Sequence, residues 1–290
     1  MTNRKKQIGY LIVLSILLMG AFIFYLSLKQ EGEFGFLKVV YLDIGQGDAI
    51  YIEAPNKKQV LIDTGPSPAT LAKLSKVMPF ADRSLDLVIL THRDQDHIGG
   101  ASLLFETYEI DNILMTDQSS ETSLSLELDR KIERSNLNKI IAHRGQRFIL
   151  DADRKIYLDI LFPNRNISDF ESNETSIVSK LSYGQKSFLF VGDSTIYNES
   201  LIIWNEQEQT INSDILLLGH HGSKTSSSLF WLEKVSPDLA IISAGKNNRF
   251  GHPAEEILDR LSKSKTPKLI TFEEGNITLL SDGQNIFRKK

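Results

Sequence analysis

From residue 36 onward the chain alternates short apolar runs with polar breaks. The runs predict strands at residues 37–44, 49–53, 59–63, 87–91, 112–115, 139–142, 156–162, 176–181, 187–191, 215–218, 239–243, 268–271 and 277–280. Most are rich in Val, Ile, Leu and Phe and are bounded by Gly, Pro, Asp or Asn. Between some of them the apolar period lengthens, predicting helices at 68–77, 100–108, 124–134, 196–206, 226–235 and 254–261. The polar, serine-rich residues 118–124 read as a surface loop, and no internal repeat is visible. Tyr183-Gly184-Gln185 and Glu274-Gly275-Asn276 carry hairpin signals. Strands in runs, with helices between the runs, predict an α/β (α+β) architecture: packed mixed sheets covered by helices rather than one doubly wound parallel sheet.

The pattern before residue 36 is of another kind. Residues 8–28 contain no charge and no polar face. In a helix that stretch is roughly 30 Å long, matching a bilayer's hydrocarbon core. Arg4, Lys5 and Lys6 precede it, which predicts a cytoplasmic N-terminus and an extracytoplasmic remainder. The chain then divides into a cytoplasmic stub (1–7), a transmembrane signal-anchor helix (8–28), a polar linker (29–36) and one large domain (37–290). A cleaved signal peptide is the rival reading, giving a secreted domain. Its apolar region would be unusually long, and no small-x-small cleavage site stands near its end. A buried soluble helix is the blander alternative.

Composition narrows the chemistry. Of 290 residues, 33 are basic and 37 acidic, a net charge of −4 that gives no broad electrostatic footprint for nucleic acid. A local cleft can still carry its own field. With no cysteine, disulfides, thiolate zinc sites and thiol catalysis are excluded, so any metal is held by nitrogen and oxygen.

Five of the six histidines fall in three short motifs at the ends of predicted strands. The first runs Thr91-His92-Arg93-Asp94-Gln95-Asp96-His97-Ile98-Gly99-Gly100. Imidazole and carboxylate suit Zn²⁺ or Mn²⁺, and the spacing offers two pairs, His92 with Asp94 and Asp96 with His97, for two metals. A solvated acidic turn is the bland reading, but groups packed this tightly repel one another without cations. Phe190-Val191-Gly192-Asp193 ends a strand in a carboxylate, a weak signal alone and a metal bridge beside the others. Gly219-His220-His221-Gly222-Ser223-Lys224-Thr225-Ser226 offers one ligating histidine, taken as His220, and leaves His221 and Lys224 for substrate; an ordinary Ser/Thr cap with a solvated lysine explains the same residues. His252, in Gly251-His252-Pro253, is a candidate to polarise substrate or donate a proton, or else a structural turn residue. Asp43, Asp48 and Asp63 are either turn formers or carboxylates that orient ligating imidazoles.

Taken together these residues resemble the metallo-β-lactamase superfamily, and most of all the hydrolase domain of the ComEC competence-protein family. The segments 43–48, 61–65, 92–100, Asn173-Glu174-Thr175-Ser176, Gly192-Asp193, 219–226 and 251–253 stand in the order that family uses. The resemblance implies an αββα sandwich with two divalent ions at one edge. It implies His92, Asp94, Asp96, His97, Asp193 and a histidine of the His220-His221 pair as ligands, with Asn173 and Ser176 nearby in support. Two departures matter. Asp94 stands where the superfamily commonly has histidine, and the Asn173–Ser176 segment stands where many relatives carry another. The site is therefore richer in oxygen, and one metal is held more weakly.

The mechanism this implies is hydrolysis by water that two metals acidify and orient, with Asp96, His221, Lys224 and His252 acting on water or substrate. The expected substrate is a phosphodiester, either DNA or an envelope polymer, with the membrane reached through the N-terminal helix and no obligate protein partner. A phosphoesterase on phosphorylcholine esters is the nearest rival; a small pocket with aromatic walls would favour it, whereas a cleft lined by Lys and Arg favours DNA. A non-catalytic anchored module is the rival of another class. β-Lactam hydrolysis is disfavoured by both departures.

Overall fold

The computed structural model describes residues 3–31, 35–135, 137–167, 170–205 and 208–289, with side chains for all of these except 3–5, 23–31 and 208–209. The chain divides into two compact units, Met1–Phe36 and Leu37–Lys290. The first contains helix α1 (Asn3–Glu31), which runs through the first residues of the expected linker. Among the described residues no helix is long and apolar enough to cross a membrane. The span expected at 8–28 passes, beyond Phe22, outside the described side chains.

The second unit is a two-sheet sandwich. One sheet contains β1 (Leu37–Tyr41), β2 (Ile50–Glu53), β3 (Gln59–Ile62), β4 (Ser84–Leu90), β5 (Glu109–Met115) and β6 (Asn138–Ile141). The other contains β7 (Arg147–Asp151), β8 (Ile156–Phe162), β9 (Val178–Tyr183), β10 (Lys186–Phe190), β11 (Ile215–Leu217), β12 (Leu239–Ile242) and β13 (Lys268–Ile270). The chain then returns to the first sheet with β14 (Ile277–Ser281) and β15 (Ile286–Lys289). The strand orders are β15-β14-β1-β2-β3-β4-β5-β6 and β13-β12-β11-β10-β9-β8-β7.

Apolar side chains on opposite faces of each strand explain the layers. Val39, Tyr41, Ile62 and Ile89 of the first sheet meet Leu181, Phe188, Phe190 and Ile241 of the second in one central core. Val40, Leu61, Val88 and Leu90 point the other way, against α2 (Ala69–Val77), α4 (Ala101–Thr107) and α5 (Ser123–Arg134). Leu189, Val191, Leu216 and Ala240 likewise pack under α6 (Ile196–Asn205), α8 (Leu229–Val235) and α9 (Glu255–Ser264). Burial on both faces is why these strands read as unbroken apolar runs instead of alternating ones. The result is the expected αββα layering with mixed sheets. β3 to β6 are parallel in one sheet and β10 to β13 in the other, with antiparallel strands beside each block.

One expected hairpin forms and one does not. β9 and β10 pair antiparallel with Tyr183 opposite Lys186. Residues 274–276 instead close the short helix α10 (Thr271–Glu274; α3, Gln95–Ile98, and α7, Glu208–Ile211, are the other short ones), because β13 and β14 lie in different sheets. Gly275, at φ +71°, supplies the turn between them.

Candidate metal centre

Each parallel block delivers its polar load at the carboxyl ends of its strands, the place where α/β sheets present ligand-binding loops. β3 ends into Asp63, β4 into the 91–100 run, β10 into Asp193, and β11 into His220 and His221. The loops are stitched to one another by backbone hydrogen bonds: Thr64 N to His97 O (2.7 Å), Asp48 N to Asp96 O (3.2 Å), Ile177 N to Thr91 O (3.0 Å) and His220 N to Gly192 O (3.0 Å). Gly47 allows the approach to Asp96. Its φ is +125°, and a β-carbon there would overlap the Asp96 carbonyl.

Asp193 stands at the centre and is buried. Its Oδ1 lies 3.2 Å from His97 Nε2 and 3.6 Å from His221 Nε2. Its Oδ2 lies 3.8 Å from His92 Nε2 and 3.7 Å from His220 Nε2. Asp94 Oδ2 is 3.7 Å from His92 Nε2, and Asp96 Oδ2 is 3.3 Å from His221 Nε2. The two halves of the cluster thus share one carboxylate. Asp48, His97, Asp193 and His221 form its buried heart, with one donor atom of each within 4.8 Å of the others.

The imidazoles are held from behind. Asp63 accepts from Thr91 N (2.8 Å) and Thr91 Oγ1 (2.7 Å) and lies 2.7 Å from His97 Nδ1. His221 Nδ1 is 3.1 Å from Ser243 O and 3.5 Å from Asp48 Oδ1. Both contacts turn Nε2 toward Asp193, as expected of ligating histidines. Ser172 Oγ donates to Asp94 (2.6 Å), and Asp193 N donates to Ser176 Oγ (3.0 Å). The adjacent histidines enter the site from one tight turn in which both adopt left-handed backbone, at φ 50° and 55°.

The buried donor set fits a divalent cation. His92 Nε2, His97 Nε2, His221 Nε2, Asp193 Oδ1, Asp48 Oδ1 and Asn173 Oδ1 are all buried without a hydrogen-bond partner. Converging orphaned acceptors are costly unless a cation gathers them. The electrostatics agree. Burial opposes every charge here, yet the surrounding carboxylates raise His221 to about 10 and His97 well above its ordinary value. Burial likewise opposes the charges of Asp193 and Asp96, but the histidines hold Asp193 well below the usual carboxylate range and Asp96 at about 2. The neighbouring His92 imidazole lowers Asp94. These carboxylates hold the positive charge of protons where a metal would supply its own.

The remaining expected residues are spread more widely. Asn173 Nδ2 lies 3.4 Å from His220 Nδ1, beside the His92 half. His252 packs edge-on against His220, with centroids 5.5 Å apart, and burial together with its histidine neighbours lowers it to about 4. Lys224 is exposed, and Asp43 faces Lys73 at 3.6 Å rather than a histidine. The structure places His221 in the buried heart and His220 at its partly exposed edge, with both rings facing Asp193, where a single ligating histidine was expected.

Several supporting residues carry no sequence signal. Arg93, inside the histidine run, turns away to bind Asp129 with two hydrogen bonds of 3.0 Å. Buried Glu199 accepts from the backbone of Ser227 and Ser228, and Arg260 donates to the carbonyls of Lys224 and Ser226. Together they fix the loop after His221.

The chain is 30% identical over 274 residues to ComE operon protein 3 of Bacillus subtilis, covering 87% of this chain and 33% of that protein. It is 32% identical over 247 residues to Recombination protein 2 of Haemophilus influenzae, covering 81% and 28%. It therefore spans about a third of the length of these curated relatives. Among solved structures, the metallo-beta-lactamase fold protein YhfI from Bacillus subtilis superposes with a TM-score of 0.58 at 15% identity, over 85% of this chain and all of that one. The sequence profile of the metallo-beta-lactamase superfamily matches residues 42–246, and the chain belongs to that superfamily.

Proposed function

We propose that this protein is a membrane-anchored, dinuclear-metal-dependent phosphodiesterase that cleaves DNA outside the cytoplasm. The observation that carries the reading is Asp193, whose two oxygens face two separate sets of imidazoles and carboxylates. His92, Asp94 and His220, with Asn173 Oδ1 beside them, would hold one ion; Asp96, His97 and His221 the other; Asp193 would bridge. Zn²⁺ and Mn²⁺ both suit this nitrogen-and-oxygen set. When bound, the two ions supply an acidified water and neutralise charge on the attacked phosphorus.

The chain's own residues do the rest. Asp48 and Asp63 keep the imidazoles in the ligating orientation. His252, at about 4, is neutral at pH 7 and suits hydrogen bonding to a substrate oxygen better than proton donation. Lys224, exposed on the loop fixed by Glu199 and Arg260, would bind phosphate. Relatives named for recombination and for the ComE operon support a DNA substrate. The cavity beside Asp96 favours the same substrate over a choline ester. It is lined by Arg249 and by a single aromatic ring, Phe250, and a guanidinium repels a quaternary ammonium. The apolar run at 8–28 after Arg4, Lys5 and Lys6 supports the anchor and the outward-facing domain.

The test is a metal-reconstituted assay of the full chain against single-stranded DNA, bis-p-nitrophenyl phosphate and a phosphorylcholine ester. DNA and the small diester should be cut, and Asp193→Asn should lower the rate by about a hundredfold or more while reducing bound metal below two ions per chain. Cleavage of the choline ester alone would sink the DNA reading. An unchanged Asp193→Asn rate would sink the site.

A further inference from the structure

The cavity that opens beside Asp96 has about 490 Å³ of space, in the range of small-molecule sites. Gln46, Gln95, Asn248, Arg249 and Phe250 line it. Phe250 is 53% exposed, which alone means little. Its setting is what matters. Asn248 fastens the loop from within, donating to Gly245 O (2.9 Å) and His252 O (2.5 Å) and accepting from Phe250 N (3.1 Å) and His252 N (3.0 Å). The Phe250 ring stacks on His252 at 5.7 Å and 22°, and the Arg249 guanidinium lies 4.7 Å from its centroid. Gln46 is likewise held, accepting from Gly245 N at 3.4 Å. A half-exposed aromatic ring is thus fixed in place next to a candidate metal ligand, with a planar cation and two side-chain amides around it.

We propose that this cavity is a nucleobase subsite: a base next to the scissile phosphate of a single-stranded polynucleotide stacks on Phe250 in the place the Arg249 guanidinium now covers, and Arg249 moves to the base's outer plane or to the adjoining phosphate. Ring and guanidinium planes are what unpaired bases stack on, and amides of the Gln46 and Gln95 type bond their edges. A paired base offers no free face, so the subsite selects single strands. The inference rests on the phosphodiesterase reading and gives it a substrate form.

The experiment measures binding of the metal-loaded full chain to a phosphorothioate oligonucleotide containing 2-aminopurine, whose fluorescence falls on stacking. Phe250→Ala should weaken binding about tenfold and abolish the quench, whereas Phe250→Trp should retain both. With an oligonucleotide of abasic sites, wild type and Phe250→Ala should bind within about twofold of each other, since no base remains to stack. A loss of equal size on both oligonucleotides, or no loss on either, would overturn the subsite. Hydrolysis of bis-p-nitrophenyl phosphate by the wild type separates the two readings. If it is present and the Phe250 effect does not depend on bases, only the subsite fails; if it is absent, the phosphodiesterase reading fails by itself.

Discussion

Asp63 shows how much one side chain can settle. It touches no substrate space, yet its carboxylate ties Thr91 to His97 by three contacts between 2.7 and 2.8 Å. With Nδ1 so engaged, His97 has Nε2 free for a metal. Asp63→Asn keeps the shape and removes the charge, so metal affinity should fall about 10- to 100-fold. A competition titration against a chromophoric chelator measures this; an unchanged affinity would mean that the imidazole needs no such partner. The sequence shows Asp63 only as a carboxylate at a strand end, equally a turn former. Its partner stands 34 positions away, and only the pairing of β3 with β4 brings them together. The His220-His221 pair poses the same difficulty. Both rings sit in one motif, and their roles divide only because consecutive left-handed residues send one inward and leave the other at the rim.

At the scale of elements, the loop after His221 depends on a contact between helices. Glu199 on α6 reaches the start of α8, where Ser228 is the N-cap and two backbone N–H groups need acceptors. Burial raises its carboxyl to about 7 despite those bonds. A folded value above the unfolded one of about 4.5 means that the native state holds the proton more tightly. The stability this confers is complete below about pH 4.5 and is lost as pH rises through about 7, a change on the order of 3 kcal/mol. Glu199→Gln removes the titration. The stability difference between wild type and variant, from urea unfolding at pH 5 and pH 7.5, should therefore shift toward the variant at the higher pH. Parallel pH profiles would show that Glu199 does not titrate in this range. Most strands were legible because burial on two faces leaves long apolar runs. β7 and β15 were not. β7 is an edge strand with Arg147, Phe148 and Ile149 only partly covered, and β15 ends in Arg288 and Lys289 at the opposite edge of its sheet. Edge strands bury one face or less, and their pattern sinks into the flanking polar residues.

For the whole domain, the candidate ligands are divided between layers. His92, Asp94, Asp96 and His97 follow a strand of one sheet, and Asp193, His220 and His221 follow strands of the other. Two ions would join the sheets at their shared edge, so chelation should act on the stability of the whole second unit. With metal present at about a thousandfold over its dissociation constant, the melting temperature should exceed that of the chelated protein by on the order of 10 °C. Thermal unfolding with and without EDTA, followed by Zn²⁺ or Mn²⁺, checks this; an identical transition would mean that the ions are not part of the fold. The strand and helix pattern and the His92–His97 run were readable in advance because both are written in contiguous residues, whereas the sandwich was implied by the family resemblance. The subsite around Phe250 was not, since it assembles from three loops that only the closed sandwich brings side by side.

The placement of Asp193 has a last consequence. Secreted proteins commonly brace such a seam with a disulfide, and this chain has no cysteine to do so. A carboxylate shared by two ions would be its exchangeable staple, fastened by the abundance of metal instead of by oxidation. For such a protein scarcity of metal takes the part of a reducing agent: it would switch off the chemistry and, by the same loss, open the domain to proteases.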